Sequence, residues 1–386
     1  MSERGEAEAS ERGEAQAEVE AQADAATTAT AGTAATRTPT DRHRGMTRRR
    51  WTLLFSGVLV VVLGLVGGFV QVPYVALGPG PTYDTLSAVN GQQIIQVNGT
   101  ATHATSGELR MVTVSEIDQI TLFGALGLWM SGNYALQPRE LYFPPGQSQQ
   151  AVNQQNVQEF QESQIDAEVS ALRYLHYPIE VVTTQVVDGS PADKLIKAGD
   201  KIVSVNGKTV TSAEDVVNAL ANTKPGQTVP VSVQTGSQPV RDLHITLGKN
   251  PSGAPQGFIG IQPAAQAVVP FKINVSLTDI GGPSAGLIFA LAIVDKLTNS
   301  DVNGGMKVAG TGEIDDLGNV SEIGGIPFKL VAARAAGATV FLTPADNCAE
   351  AKAHVPAGLR LVKVTSLSSA ISELAALKAG RPVPGC

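Results

Sequence analysis

An unbroken run of apolar residues near the N-terminus constrains this chain more than any other feature. Residues 51–70 (WTLLFSGVLVVVLGLVGGFV) carry no charge, and the first charged residue after Arg50 is Asp84. As a helix rising ~1.5 Å per residue, such a run is long enough to cross the roughly 30 Å hydrocarbon core of a bilayer. A soluble helix is not normally apolar on every face, and a cleaved signal peptide does not normally follow so long a leader. The sequence therefore predicts a single transmembrane helix over residues 51–72.

The segment before this run predicts both disorder and an orientation. Residues 1–50 are rich in Ala, Glu, Gln and Thr, with almost no large apolar side chain. Because they cannot bury enough surface to offset their ordering entropy, we expect a disordered cytoplasmic tail. Positive charge marks the cytoplasmic side of a membrane span. The tail ends in an arginine cluster: Arg42, Arg44, Arg48, Arg49 and Arg50. Everything after residue 72 is then expected outside the cytoplasm, held at the cell membrane.

Charge and the metal-ligating residue types exclude several functions. The net charge of −7 argues against nucleic acid as a partner, because phosphate neutralisation needs a basic surface. The five histidines are scattered, HExxH does not occur, and the two cysteines form no Cys/His cluster. The sequence therefore predicts neither a metal site nor a cofactor.

Residues 73–177 predict an extracytoplasmic α/β region without catalytic residues. Short alternating runs at 93–97 and 108–114 are typical of strands. Apolar residues at helical spacing over residues 148–175 predict an amphipathic helix that packs one stripe inward.

Residues 178–249 predict a small β-rich domain. A β-branched run at 179–187 is followed by a hairpin signal at Asn206-Gly207 and by a helix capped by Ser212. With GSPADKLIKAGDKIVSVNGKTV, this pattern resembles a PDZ domain. The resemblance implies that an extended peptide is bound between the strand at 179–187 and the helix at 212–222. The glycine-rich loop that usually precedes the strand and binds a C-terminal carboxylate is absent, since LHYPIE stands there. An internal or unfolded segment is therefore the expected ligand.

A serine after a strand is the first candidate for catalysis. Alternation over residues 268–277 predicts a strand that runs into TDIGGPSAGLIFALAIVDKLT, in which Ser284 opens a helix. Unpaired N–H groups and the positive end of the helix dipole would stabilise both a nucleophile and an oxyanion there. The alternative is that Ser284 only caps the helix.

GPSAG also fits the GxSxG turn of α/β-hydrolases, with Asp346 and His354 following in the required order. We disfavour this interpretation, because such a fold needs several βα units on each side of the serine and the chain lacks room for them.

A lysine provides the second candidate. Lys329 shares a helix side with Ile326, Ala332 and Ala333. It either extends its amine to solvent or is desolvated, in which case its lowered pKa would allow a neutral amine to act as a base.

Together these motifs resemble the proteolytic domain of Lon-type proteases over residues 257–379. GGPSAG is followed by GTGEI, whose threonine lies 27 residues after the serine, and by GGIPFK, whose lysine lies 45 residues after it. The resemblance implies a Ser–Lys dyad, with Ser284 as nucleophile and Lys329 as general base. It implies a supporting role for Thr311, which helps to position the lysine, and for Gly282, Pro283 and Ala285 around the serine.

The chain departs from full-length Lon proteases in an informative way. GxxxxGK[ST] does not occur, and a membrane anchor and a PDZ-like segment stand where the ATPase would be. With GPGPTYDTL after the span, this arrangement resembles the bacterial membrane-anchored PDZ-domain-containing Lon-like serine proteases. The expected fold class is α+β: one N-terminal transmembrane helix, a β-rich PDZ-like domain at 178–249, an α/β Lon-type proteolytic domain at 257–379 and a tail at 380–386.

The resemblance implies an ATP-independent serine endopeptidase that acts on unfolded or membrane-tethered proteins, with a PDZ-like domain that binds extended segments. It also implies a homo-oligomeric ring. The alternative is a non-catalytic PDZ scaffold or adaptor whose Lon-like domain only assembles. Cys348 and Cys386 both fall outside the cytoplasm, where a disulfide could tie the C-terminal tail to the domain; two free thiols are the other possibility.

Overall fold

The computed structural model describes residues 47–89, 91–277 and 280–386. Residues 1–46 of the predicted disordered tail lie outside these ranges. The first helix, α1 (Arg48–Phe69), contains the apolar run. In the described part of the chain, it is the one helix long and apolar enough to cross a membrane. From residue 60 onward the chain forms one compact unit.

The elements after α1 fall into three groups along the chain. The first comprises β1 (Tyr74–Asp84), β2 (Ala88–Val89), β3 (Gln92–Gln93), β4 (Ile95–Asn98), β5 (Glu108–Ile117), α2 (Leu122–Met130), β6 (Ala135–Pro138) and α3 (Gln149–Tyr174). The second comprises β7 (Ile179–Val186), β8 (Lys201–Val205), β9 (Lys208–Thr209), α4 (Ala213–Leu220), β10 (Thr228–Gln234), β11 (Arg241–Thr246) and β12 (Ile261–Ala267). The third comprises β13 (Lys272–Val275), α5 (Gly286–Leu297), β14 (Lys307–Gly310), β15 (Glu313–Ile314), β16 (Val320–Ser321), α6 (Ile326–Ala335), β17 (Val340–Pro344), α7 (Cys348–His354), β18 (Arg360–Val364) and α8 (Leu367–Lys378).

One six-stranded sheet joins the first and third groups in the order β18-β17-β14-β5-β1-β6. Neighbouring strands from β18 to β5 are parallel, and β1 runs antiparallel to both of its neighbours, β5 and β6. Gly310 on β14 pairs with Met111 on one side and with Leu342 on the other. The region at 73–177 and the Lon-type segment therefore share one sheet, with the PDZ-like segment between them in sequence.

Helix α5 is the centre of the larger core. Every residue from Gly286 to Lys296 is buried, as expected for a helix enclosed on all sides. Phe289 packs edge-to-face against Phe160 of α3, with ring centroids 5.8 Å apart. Ser148 caps α3, whose bounds match the helix predicted over residues 148–175. These contacts fix α3 against the helix that follows the candidate serine.

A second sheet, ordered β11-β10-β8-β7-β12, is built on the PDZ-like segment. β8 and β9 form the hairpin predicted at Asn206-Gly207, with Val205 paired to Lys208. Ser212 and Asp215 form a capping box at the start of α4. β12 pairs along the length of β7, so this strand belongs to the PDZ-like sheet although the sequence analysis places it within 257–379.

The two cysteines are joined. A disulfide links Cys348 at the start of α7 to Cys386, with their Cα atoms 5.0 Å apart. The C-terminal tail also returns to the main sheet, where the Lys363 N–H donates to the Pro384 carbonyl at 3.0 Å. The structure therefore contains the disulfide and not the two free thiols.

Candidate active site

Ser284 lies in a turn immediately before α5. The helix begins at Gly286 with Ala285 as its N-cap, so Ser284 stands before the cap and does not open the helix as expected from the sequence. The cap position belongs to Ala285, so the interpretation of Ser284 as the helix cap is wrong. The positive end of the α5 dipole points toward this turn, where it favours developing negative charge.

Helix α3 holds the turn in place. The Gly282 N–H donates to the Asn156 carbonyl at 2.9 Å, and the buried Ser163 hydroxyl donates to the Pro283 carbonyl at 2.8 Å. Gly282 has a φ of 81°, a left-handed conformation that side-chain-bearing residues rarely adopt. Neither Asn156 nor Ser163 is among the site residues predicted from the sequence. The spacing of Ser163, three residues after Phe160, puts it on the buried stripe and is the signal that could have identified it.

Lys329 is buried in the first turn of α6. This helix begins after Gly325, which has a φ of 75° and lies so close to Val114 that a Cβ would approach its Cγ2 to 2.6 Å. Lys329 is only 3% exposed, which contradicts the alternative that its amine extends to solvent. Burial lowers the pKa of Lys329 to about 7, because the charged form loses its hydration. Near neutral pH a large fraction of this amine is therefore uncharged.

Thr311 connects the lysine to the serine. The Lys329 Nζ donates to Thr311 Oγ1 at 3.1 Å, and Thr311 Oγ1 donates to the Ser284 carbonyl oxygen at 3.0 Å. The Gly312 N–H donates to the same carbonyl at 3.0 Å. Because the threonine hydroxyl gives its only proton to Ser284, it must accept from the lysine. A neutral amine in this arrangement keeps its lone pair free.

Ser284 and Lys329 line the same cavity, which has a volume of about 290 Å³. Among the described residues, Lys329 Nζ has Thr311 as its hydrogen-bond partner and makes no hydrogen bond to Ser284 Oγ. Apo sites often have such loose nucleophile–base pairs, which tighten when substrate binds. Ala285, which the sequence places beside the serine, also lines the cavity.

The rest of the cavity wall comes from the region to which the sequence analysis assigns no chemistry. β5 pairs with β14 and β1 pairs with β5, and besides Ile280 and Gly281 the wall is formed by residues of these two strands: Pro81, Tyr83, Met111, Val112, Thr113 and Val114. These mostly apolar side chains limit the access of water to the lysine, so residues 73–177 contribute directly to the site.

The α/β-hydrolase alternative finds no support in the geometry. Among the described residues that line the cavity there is neither Asp346 nor His354. His354 is exposed at the end of α7, where its Nδ1 lies 2.9 Å from the Glu350 carbonyl oxygen.

An acidic cluster lies on the other side of the turn. Asp166 and Glu162 of α3 line a second pocket together with Pro283 and Glu313. Burial, followed by repulsion from Asp316 and its other acidic neighbours, raises the pKa of Asp166 to about 7. Within the described ranges, no group of three or more His, Cys, Asp or Glu residues is arranged to hold a metal ion.

The PDZ-like segment presents a different edge from the one expected. β7, the strand predicted to bind peptide, has β8 on one side and β12 on the other, so it has no free edge. A peptide can add only to an edge strand; the edge strands of this sheet are β11 and β12, and β12 is the one that contacts α4. Pro263 within β12 fits an edge position, because proline cannot donate to a central ladder.

A glycine-containing loop precedes this edge strand. Residues 257–260 (GFIG) lead into Ile261, the first residue of β12. The loop is packed against the domain, since the Ala192 N–H donates to the Ile259 carbonyl at 3.0 Å and the Val187 N–H donates to the Gly260 carbonyl at 2.9 Å. This loop lies at the other end of the segment from the position before residue 179 where the PDZ resemblance leads one to expect it.

Comparison with known families matches both parts of the chain. Residues 147–245 match the PDZ domain family, and residues 272–377 match the Lon protease (S16) C-terminal proteolytic domain family. The first match ends before β12, which the structure adds to the same sheet.

Individual relatives and one solved structure are similar to part of this chain. The Lon protease of Heliobacterium modesticaldum is 40% identical over 95 residues, which cover 24% of this chain and 11% of that protein. The Lon protease of Clostridioides difficile is 38% identical over 102 residues, covering 26% and 13%. The chain thus spans about an eighth of the length of these relatives. The crystal structure of the PDZ domain of an SdrC-like protein from Listeria monocytogenes is 26% identical, covering 22% of this chain and 86% of that one, with a TM-score of 0.20.

Proposed function

We propose that this chain, which carries a PDZ domain and a Lon-type proteolytic domain, is an ATP-independent serine endopeptidase that uses a Ser284–Lys329 dyad. One observation carries the proposal. A buried lysine with a pKa of about 7 lines the same cavity as the serine that precedes α5, and one threonine hydroxyl joins them. A neutral amine beside a serine hydroxyl is the arrangement that activates such a nucleophile.

The chemistry follows from these positions. Lys329 accepts the proton of Ser284 as Oγ attacks the scissile carbonyl carbon, and the α5 N-terminus stabilises the oxyanion. The lysine ammonium then gives this proton to the leaving amine as the peptide bond breaks, which leaves an acyl-enzyme ester on Ser284. Lys329, neutral again, accepts a proton from the water that hydrolyses the ester and returns it to Ser284. Thr311 keeps the amine oriented throughout.

We further propose that α1 anchors the enzyme in a membrane, with the catalytic part outside the cytoplasm. Arg48, Arg49 and Arg50 at the start of α1 support this orientation, because cationic residues favour the cytoplasmic side. The Cys348–Cys386 disulfide supports it independently, since disulfides persist mainly in oxidising compartments.

For the PDZ domain, we propose that extended protein or peptide segments add to the free edge of β12 beside α4. The loop at 257–260 lies where it could receive a C-terminal carboxylate, a ligand that the sequence analysis considered doubtful. No GxxxxGK[ST] motif is present to support ATP-driven unfolding, so the expected substrates are unfolded or membrane-tethered chains. A ring of subunits remains a prediction of the resemblance.

Digestion of an unfolded protein tests the catalytic proposal. The full chain in detergent should cleave casein without ATP, and Ser284→Ala should abolish cleavage. Ser300→Ala is the matched control, because Ser300 is exposed outside the cavity. Cleavage that survives Ser284→Ala would contradict the dyad. No cleavage by the folded parent chain would favour the scaffold alternative.

Peptide binding tests the PDZ proposal separately. A fluorescent peptide with a free C-terminus should bind the Ser284→Ala chain more tightly than its amidated form. Val217 on α4 is 59% exposed, and Val217→Glu should weaken binding if the groove lies between α4 and β12. Val240→Glu, at a similarly exposed valine outside α4, is the control. Equal affinity for the free and amidated peptides would contradict carboxylate capture.

A further inference from the structure

Helix α2 is a short, strongly apolar helix that the catalytic mechanism does not use. Its sequence, LFGALGLWM, lies in the middle of an uncharged stretch that extends from Gln119 to Pro138. Thr121 caps the helix, its hydroxyl accepting from the Gly124 N–H. An uncharged apolar helix of this kind on a protein surface calls for an apolar partner.

The helix has two apolar faces with different surroundings. Ala125 is buried and Leu128 is half-buried, and both pack with Ala76 and Ile120 against the end of the main sheet. The opposite face is exposed and consists of large apolar side chains at helical spacing: Leu122, Leu126, Trp129 and Met130. Trp129 is 62% exposed and Met130 is 72% exposed. A folded protein surface does not normally leave such a set in water.

The position of α2 identifies the partner. The Phe123 ring packs against Gly67, near the C-terminal end of α1, where a Cβ would come within 2.5 Å of Phe123 Cζ. The Val72 N–H donates to the Ile120 carbonyl at 2.9 Å, and Gln71 forms a β-bridge with Thr121. The chain that leaves α1 is therefore bound directly to the start of α2. Phe69, the last residue of α1, is 79% exposed, so an apolar side chain of α1 also faces solvent near this junction.

We propose that α2 is a membrane-interface helix that inserts its exposed apolar face into the lipid leaflet reached by the C-terminal end of α1. This inference rests on the proposal that α1 spans the membrane. Apolar helices with an aromatic residue at the boundary are suited to the interface, and tryptophan favours this level of the bilayer. Two adjoining attachments would fix the tilt of the catalytic domain relative to the bilayer, which a single flexible anchor would not.

The chain contains two tryptophans, Trp51 in α1 and Trp129 in α2, which allows each to be observed alone. The full chain is reconstituted into phosphatidylcholine–phosphatidylglycerol vesicles whose acyl chains are brominated near the headgroup or near the methyl end. In the Trp51→Phe chain, we expect bromine near the headgroup to quench Trp129, by about twofold more than bromine near the methyl end. Trp129 emission unaffected by either lipid overturns the inference.

Two further variants separate the possible failures. In the Trp129→Phe chain, Trp51 reports on α1; if it is not quenched, the membrane anchor itself has failed. Quenched Trp51 with unquenched Trp129 overturns only the inference about α2, including the case in which a second copy of the chain covers the helix. Leu126→Asp in the Trp51→Phe background should reduce Trp129 quenching by about half or more. Leu141→Asp, at a leucine outside α2 that is even more exposed than Leu126, should leave it unchanged.

Discussion

Replacing Lys329 with methionine should remove catalysis while stabilising the fold near neutral pH. Methionine keeps an unbranched side chain in the buried position but has no amine to desolvate. Burial lowers the pKa of Lys329 from 10.5 to about 7, and at about 1.4 kcal/mol per pH unit this corresponds to roughly 5 kcal/mol. Loss of the hydrogen bond to Thr311 costs about 1 kcal/mol in return. The expected net gain in the free energy of unfolding is about 4 kcal/mol at pH 7.

The stability that Lys329→Met gains over the parent chain should decrease as pH rises. Between pH 7 and 10.5 the unfolded chain binds a proton that the native lysine has released, so native stability rises with pH across this window. The burial penalty is complete below about pH 7 and absent above pH 10.5. The advantage of Lys329→Met should therefore shrink as pH rises and fall to about zero near pH 10.

Urea unfolding of the full chain in detergent, followed by circular dichroism at several pH values, measures this difference. Lys363→Met, at an exposed lysine on β18, is the control and should show no pH-dependent gain. A Lys329→Met chain that is destabilised at pH 7, or whose advantage is the same at pH 7 and near pH 10, would refute the assignment of Lys329 as a desolvated amine.

Three further outcomes are expected. Thr311→Val should lower the rate of casein cleavage by about 10- to 100-fold, because the lysine loses its positioning partner, whereas Thr311→Ser should retain most of it; equal rates in both variants would argue against this role. The native chain keeps the proton of Asp166 between pH 3.8 and about 7, so stability falls as pH rises through that window. Asp166→Asn should therefore raise the free energy of unfolding by about 1–2 kcal/mol above pH 7, after discounting for solvent screening, and leave it unchanged near pH 4; the reverse pH dependence would be inconsistent. Cys386→Ser should lower stability by roughly 2–4 kcal/mol in non-reducing urea titrations, and no change would mean that the tail contributes nothing.

The parts of the site that the sequence predicts are those encoded by local motifs. Ser284, Thr311 and Lys329 each stand in a glycine-containing motif at a turn between elements, where backbone geometry restricts the choice of residue. The three residues come close in space because β14 pairs parallel to β17 and because α6, which carries Lys329, lies between these strands in sequence. The order of the three motifs along the chain is enough to suggest that they meet. The buried state of Lys329 needed the structure, because the same helix face is compatible with an amine that extends to solvent.

The sequence could not predict contacts between distant segments. β1 and β5 lie far from Ser284 along the chain, and only strand pairing brings them to the cavity wall. The free edge of the PDZ-like sheet was misplaced for a similar reason. The pattern at 179–187 identifies a strand, but whether that strand is central or at an edge depends on its pairing with β12, which follows about 80 residues later. Exposure of α2 likewise depends on tertiary packing.

Labelling of Ser284 by a fluorophosphonate tests the central claim, that Lys329 activates this serine, most directly. The labelled residue is identified by peptide mass spectrometry, and the labelling rate is measured across pH for the parent chain and for Lys329→Arg, since a guanidinium cannot act as a base. We expect modification at Ser284, a rate that rises with pH to a plateau above about pH 7, and a loss of at least about 100-fold in Lys329→Arg. Modification of a different serine, or an unchanged rate and pH profile in Lys329→Arg, would contradict the claim.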